Sequence, residues 1–188
     1  MTRLPGTPRL VWKAHVVVAL MCVCGAALPA ETLAQPAGTP STIAVPDCTL
    51  IDDNAAYNDA DVTRIQQLRV TMISDQLRNA LRERGLYRVA DNAPAAAMIA
   101  SLQSMQDLNA CNGCEREVGR RLNAGRVGLC WVQKISNLIL NINLRIEDVA
   151  TGATVFQRSV DIRGNTDLSW RRGVDALVDL VAQEQKQK

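Results

Sequence analysis

From Leu138 to Glu147, apolar and polar residues alternate along the chain. Leu138, Leu140, Ile142, Leu144 and Ile146 fall on one side, and Ile139, Asn141, Asn143, Arg145 and Glu147 on the other. That repeat of two is the signature of a β-strand with one face buried. The turn Ala150-Thr151-Gly152-Ala153 follows, with a glycine free to take a positive φ, and Val155 to Ile162 returns antiparallel. Arg126 to Lys134 reads as the strand before the hairpin. Nearer the amino terminus the repeat changes. Ile65, Leu68, Met72, Ile73, Leu77, Ala80 and Leu81 recur at helical spacing and predict a buried stripe on a helix over 61–84. Gly85, after Arg82 and Arg84, is its stop.

The remaining segments are shorter. Thr42 to Ile51 predicts a first strand, with Pro46 marking an edge or a bend. Leu86 to Ala90 predicts a short strand, Pro94 to Ser101 a short helix, and Cys114 to Asn123 another. Asn165-Thr166-Asp167 supplies N-cap residues for a last helix, with Leu168, Val174, Leu177, Val178 and Val181 as its buried stripe. The predicted order is β-α-β-α-α-β-β-β-α. This is an α/β chain of the two-layer α+β kind. It has a mixed sheet ending in an antiparallel hairpin, and helices packed mainly on one face.

The first residues have a different character. Arg3, Arg9 and Lys13 precede an apolar run from Val16 to Ala27, too short to span a bilayer. Small-residue sites end at Ala30 and Ala34. Residues 1–34 therefore read as a secretory signal peptide cleaved after Ala34, with Ala30 as the alternative. Residues 35–41 follow as a flexible lead-in, and 42–186 as a single periplasmic domain. Neither Cys22 nor Cys24 follows a lipobox, which argues against a lipid anchor.

Cleavage changes the charge. The chain has 21 Lys+Arg and 19 Asp+Glu; without Arg3, Arg9, Lys13 and Glu31, 18 of each sign remain. A neutral domain is a poor match for nucleic acid or an anionic membrane. The single histidine, His15, leaves with the signal. Imidazole-based nucleophile pairs and the common zinc-enzyme sites leave with it. No phosphate-binding or dinucleotide-binding glycine motif occurs. No catalytic residue, metal site or cofactor is assigned.

Four cysteines remain: Cys48, Cys111, Cys114 and Cys130. Cys111-Asn-Gly-Cys114 reads in three ways: a structural disulfide, a redox-active pair with Cys114 at a helix start, or half of a four-thiolate zinc site. An oxidising compartment favours the first. Cys48 and Cys130, both on predicted strands, would form a second bridge or two buried thiols. The polar strand face, with Asn141, Asn143 and Arg145, together with Trp170 at the start of the last helix, is the expected partner-binding surface.

The run Trp131-Val-Gln-Lys-Ile-Ser-Asn-Leu-Ile-Leu-Asn-Ile-Asn-Leu resembles a family of small exported bacterial proteins of unknown function. So do Asp148-Val-Ala-Thr-Gly152, the segment Val160 to Trp170, and Cys111-Asn-Gly-Cys-Glu115. More distantly, the strand–helix order and the Asp-Val-x-Thr-Gly hairpin are similar to the amino-terminal domain of TolB and to curli-secretion-type envelope proteins. That resemblance implies a domain that binds a periplasmic or outer-membrane protein rather than one that catalyses. The alternative is a thiol–disulfide redox protein using Cys111 and Cys114.

Overall fold

The structure is a computed structural model and describes residues 40–187. The expected signal peptide at 1–34, and the expected lead-in through residue 39, lie outside the described residues. The expected first strand is two strands, β1 (Thr42–Ala44) and β2 (Thr49–Asp52). The break falls at Pro46, which has no N–H for a ladder bond. Both strands run parallel to β4 (Arg126–Lys134), β1 against Arg126–Val127 and β2 against Trp131–Lys134. Strand β3 (Arg88–Val89), shorter than the sequence suggests, pairs parallel outside β1. Strands β5 (Ile139–Asp148) and β6 (Thr154–Arg163) continue antiparallel from β4. The mixed sheet has the order β3-β1-β4-β5-β6, with β2 beside β4.

Two long helices cover one face. Helix α1 (Ala60–Glu83) starts on Asp59, whose carboxylate accepts from the Val62 N–H, and ends before Gly85, at φ +66°. Helix α4 (Asp167–Lys186) starts on Thr166, which exchanges capping bonds with Ser169. Between them and the sheet lies the main core, including Ile73, Leu77, Leu140, Ile142, Leu144, Trp170 and Leu177. Two shorter helices, α2 (Ala96–Met105) and α3 (Cys114–Arg121), pack on the opposite face over β1 and β4, around Ala44, Ile99, Val118, Val127 and Leu129. The α/β class holds, with helices mainly on one face and a small second layer on the other.

Four expected core positions are instead exposed: Ile65, Leu68, Leu138 and Leu168. The buried stripe of α1 is Gln66, Val70, Ile73, Ser74, Leu77, Ala80 and Leu81, one residue around the helix from Ile65 and Leu68. Ion pairs Arg69–Asp167 and Arg84–Asp179 show that α1 and α4 run side by side from Arg69 onward. Ile65 and Leu68 precede that stretch and are exposed. Leu168 lies opposite the Trp170, Val174, Leu177, Val178 and Val181 stripe of α4. Leu138 precedes β5, and its carbonyl closes the loop by accepting from the Gly164 N–H.

One ion pair lies inside the core face. Lys134 ends β4 and Asp52 ends β2; their side chains are 3% and 4% exposed, with Nζ 2.8 Å from Oδ2. The Asn58 amide donates to the same carboxylate, which accounts for how a charge is tolerated there.

Candidate functional site

The two faces of β5 lead to different places. Its apolar residues enter the main core. Its polar residues lie on the other face, where α2 and α3 cover only part of the sheet. Two candidate sites result.

The first is an open patch. Register places Thr49, Trp131, Asn143 and Ser159 in one row across β2, β4, β5 and β6, and Ile51, Gln133, Asn141 and Asp161 in the next. Asn143 Nδ2 donates to Asn141 Oδ1 at 3.1 Å, which holds the two amides side by side. Trp131 is half-buried among them. Ile51 and Ile139 are exposed, as is Ile135 beside them, whose N–H donates to the Ile139 carbonyl. Trp170, expected on this surface, is not there. It is fully buried under α4, with Nε1 donating to Asn165 Oδ1 at 2.9 Å. A tryptophan in the first turn of a helix points wherever the helix seats, and here it seats on the sheet. Trp131 is the aromatic that does lie there; its neighbours Cys130 and Val132 face the core, so period two puts it on the opposite face.

The second site is a polar cleft of about 480 Å³ beside the Cys111–Cys114 pair. The structure joins Cys111 to Cys114, with Cα atoms 5.9 Å apart, and Cys48 to Cys130, at 4.5 Å. The second bridge is deep in the core; the first lies at the start of α3, with Cys111 partly exposed to the cleft and Cys114 buried. Gly113, at φ +104°, turns the chain into the helix, a conformation that glycine takes without strain. Glu115 is buried and folds back, so that Oε2 accepts from the Gly113 N–H at 3.1 Å and lies 3.0 Å from the Cys111 sulfur.

Three charges from outside the Cys-Asn-Gly-Cys loop complete the cleft. Glu147, from β5, is buried; burial pushes its carboxyl above the ordinary 4.5, and the neighbouring Glu115 carboxylate pushes the same way. Arg145 opposes this, with Nε 2.7 Å from Glu147 Oε1. Arg145 also donates to the Asn109 carbonyl at 3.1 Å, so it is tied into the loop over the sheet rather than free on the open face. Arg116 lies against Gly113 and Gly152, linking the loop to the β5–β6 turn, and its Nε is 3.8 Å from Glu115 Oε1. The ligand atoms of Cys111, Cys114 and Glu115 lie within 4.8 Å of one another. Two of them are joined as a disulfide, so this group could hold a cation only after reduction. Sequence reasoning missed Glu115, Arg116 and Glu147 as a group; the one local sign was Glu115 itself, following Cys114 and four residues after Cys111.

Residues 41–180 match the family DUF3280, described as a protein of unknown function (DUF2380). The chain belongs to this family. Both sites of the DUF3280 chain lie inside the matched residues. No curated protein matches it. Among solved structures, it is similar to the hypothetical protein CT253 from Chlamydia trachomatis, at TM-score 0.51 and 12% identity, over 79% of this chain and 99% of that one. It is similar to the LpoB C-terminal domain from Salmonella enterica at TM-score 0.47 and 15% identity, over 66% of this chain and 84% of that one. With TolB from Acinetobacter baumannii the TM-score is 0.44 and the identity 11%, over 78% of this chain and 28% of that one. The expected family of unknown function and the distant TolB likeness are both found. At these identities what is shared is a fold. No helix among the described residues is long and apolar enough to cross a membrane.

Proposed function

We propose that this chain is a non-catalytic accessory protein of the bacterial envelope. In this reading it is exported by the signal peptide at 1–34, resides in the periplasm without a lipid anchor, and acts through contacts with another protein. The observation that carries the reading is the open patch on the sheet. A half-buried tryptophan stands among paired amides, and isoleucines that a lone domain would gain by burying lie at its edge. Ile51 is 37% exposed, Ile139 42% and Ile135 47%. Protein interfaces combine these features: a tryptophan anchor, apolar contacts and a polar rim with hydrogen-bonding capacity. Asn141 and Asn143 belong to this surface; Arg145 borders it.

The test is site-specific photo-crosslinking in cells. A crosslinker at Gln133, on the patch, is expected to give a discrete adduct that Trp131→Ala abolishes. The same crosslinker at Gln67, on the outer side of α1, gives none. Equal adducts from both positions, or none from Gln133, would remove the reading.

A second reading, thiol–disulfide exchange at Cys111–Cys114, is favoured by one observation. Cys111 is the more exposed residue of the pair, and a buried carboxylate, that of Glu115, stands against its sulfur. Cys48–Cys130, enclosed in the core, has neither feature.

A further inference from the structure

Resting on the second reading, we infer that Cys111 is the sulfur attacked in exchange with a dithiol. We infer also that Glu115 stabilises the reduced state by accepting a hydrogen bond from the Cys111 thiol. In the disulfide, neither sulfur has a hydrogen to donate, and the 3.0 Å contact with Glu115 Oε2 is only a contact. Reduction places an S–H at that distance from an oxygen already oriented by the Gly113 N–H. The acceptor is therefore positioned before the donor exists.

The cleft decides the order of events. Cys111 is open to it, whereas Cys114 is buried at the first turn of α3. The thiolate of an incoming dithiol attacks the Cys111 sulfur and forms a mixed disulfide. The Cys111–Cys114 bond breaks, and Cys114 leaves as a thiolate at the amino-terminal end of α3, where the helix dipole favours negative charge. The second thiolate of the reductant then breaks the mixed disulfide, and the two protons that the dithiol gave up in forming its thiolates end on the Cys111 and Cys114 sulfurs. The reductant gives up two electrons and becomes a disulfide; the protein gains two thiols. The Cys111 thiol donates to Glu115, while Arg116, Arg145 and Glu147 are the other charged groups facing that carboxylate.

The test uses dithiothreitol at fixed ratios of its reduced and oxidised forms. Acid quenching, alkylation and peptide mass spectrometry read each disulfide separately. The expected result is that Cys111–Cys114 reduces at ratios that leave Cys48–Cys130 intact, the intact bridge also reporting that the domain is folded. Glu115→Gln replaces a charged acceptor with a neutral one and shifts the midpoint ratio toward the disulfide by about fivefold. Glu115→Asp, which withdraws the oxygen by one carbon, shifts it the same way. Glu147→Gln, which removes a neighbouring charge but leaves the Glu115 acceptor in place, shifts the midpoint less than Glu115→Gln does.

If Cys111–Cys114 resists reduction until Cys48–Cys130 is also lost, both the exchange reading and this inference fail. If it reduces normally but neither Glu115 variant moves the midpoint, the assignment to Glu115 fails and exchange stands. If Glu147→Gln moves the midpoint as far as Glu115→Gln, the effect belongs to the charge of the carboxylate pair and the hydrogen-bond assignment is overturned. With oxidised glutathione, whose mixed disulfide cannot close on itself, Cys114→Ser is expected to form the adduct at Cys111 faster than Cys111→Ser forms it at Cys114; equal rates, or the reverse order, overturn the choice of attacked sulfur.

Discussion

Replacing Lys134 with methionine keeps the length of the side chain and removes the charge that offsets Asp52. In the folded protein, burial pushes the Asp52 carboxyl up. The Lys134 ammonium, the Asn58 amide and the Asn54 N–H outweigh burial and hold it below its ordinary 3.8. A group lowered on folding contributes stability that is present above its ordinary value and is lost as pH falls through and below it. In Lys134→Met the strongest of those opposing interactions is gone, and a carboxylate is left 4% exposed with two amide partners. Breaking a buried pair from one side costs about 3–5 kcal/mol. A domain has about 5–15 kcal/mol in total, so the variant should lose roughly 6–20 °C in Tm. Urea unfolding at pH 7, 5.5 and 4 measures the effect. The deficit should be largest at pH 7 and shrink toward pH 4, because Asp52 can then take up a proton and cease to be a buried charge. Asp52→Asn combined with Lys134→Met should lose less than Lys134→Met alone. A deficit below about 1 kcal/mol at pH 7, far under the cost of an unpaired buried charge, would refute the reasoning. So would a deficit that does not change with pH.

Three further outcomes are expected. Alanine at both Cys48 and Cys130 opens a loop with a sequence separation of 82 and should cost about 4.5 kcal/mol; alanine at both Cys111 and Cys114 should cost less than half of that, with urea midpoints as the comparison. Gly173→Ala places a Cβ 2.7 Å from Ile162 Cγ2 and 2.8 Å from Ile142 Cδ1 and should cost about 1–3 kcal/mol by forcing α4 off the sheet, read as a lower Tm with unchanged helical circular dichroism. Carboxyl NMR should find Glu147 titrating above 4.5 in the wild type and lower in Glu115→Gln, where a like charge is gone. Because Glu147 is raised on folding, its contribution is present below its ordinary value and is lost as pH rises through the folded one.

The elements whose pattern is local were legible. The β5–β6 hairpin follows from strict alternation and a turn glycine, and α1 from helical spacing stopped by Gly85. The same alternation also held information that was harder to use. Cys130, Val132 and Lys134 share a face of β4, so Lys134 had to enter the core; its partner, Asp52, sits 82 residues away on a strand whose bend at Pro46 hides its register. Leu168 and Trp170 show the opposite limit. Two apolar residues in one helical turn compete for the buried side, and the choice depends on where α4 meets the sheet, which no spacing within the helix encodes. Glu115 lies further out of reach, because what makes it notable is the proximity of Glu147 and Arg145 from a strand 30 residues later in the chain.

The two candidate sites are products of one strand. Along the polar face of β5, Asn141 and Asn143 lie beyond the reach of the loop before α3, while Arg145 and Glu147 lie beneath it. Arg145 marks the boundary, since one guanidinium both holds the loop through the Asn109 carbonyl and neutralises Glu147. The loop is short because the Cys111–Cys114 bridge closes it, and Gly113 lets α3 start at once. The loop borders the open patch through the 2.7 Å bond from Asn109 Nδ2 to Thr49 Oγ1 in the Trp131 row. Asn109 therefore touches both sites: its carbonyl accepts from Arg145 of the cleft, and its side-chain amide donates to Thr49 of the patch.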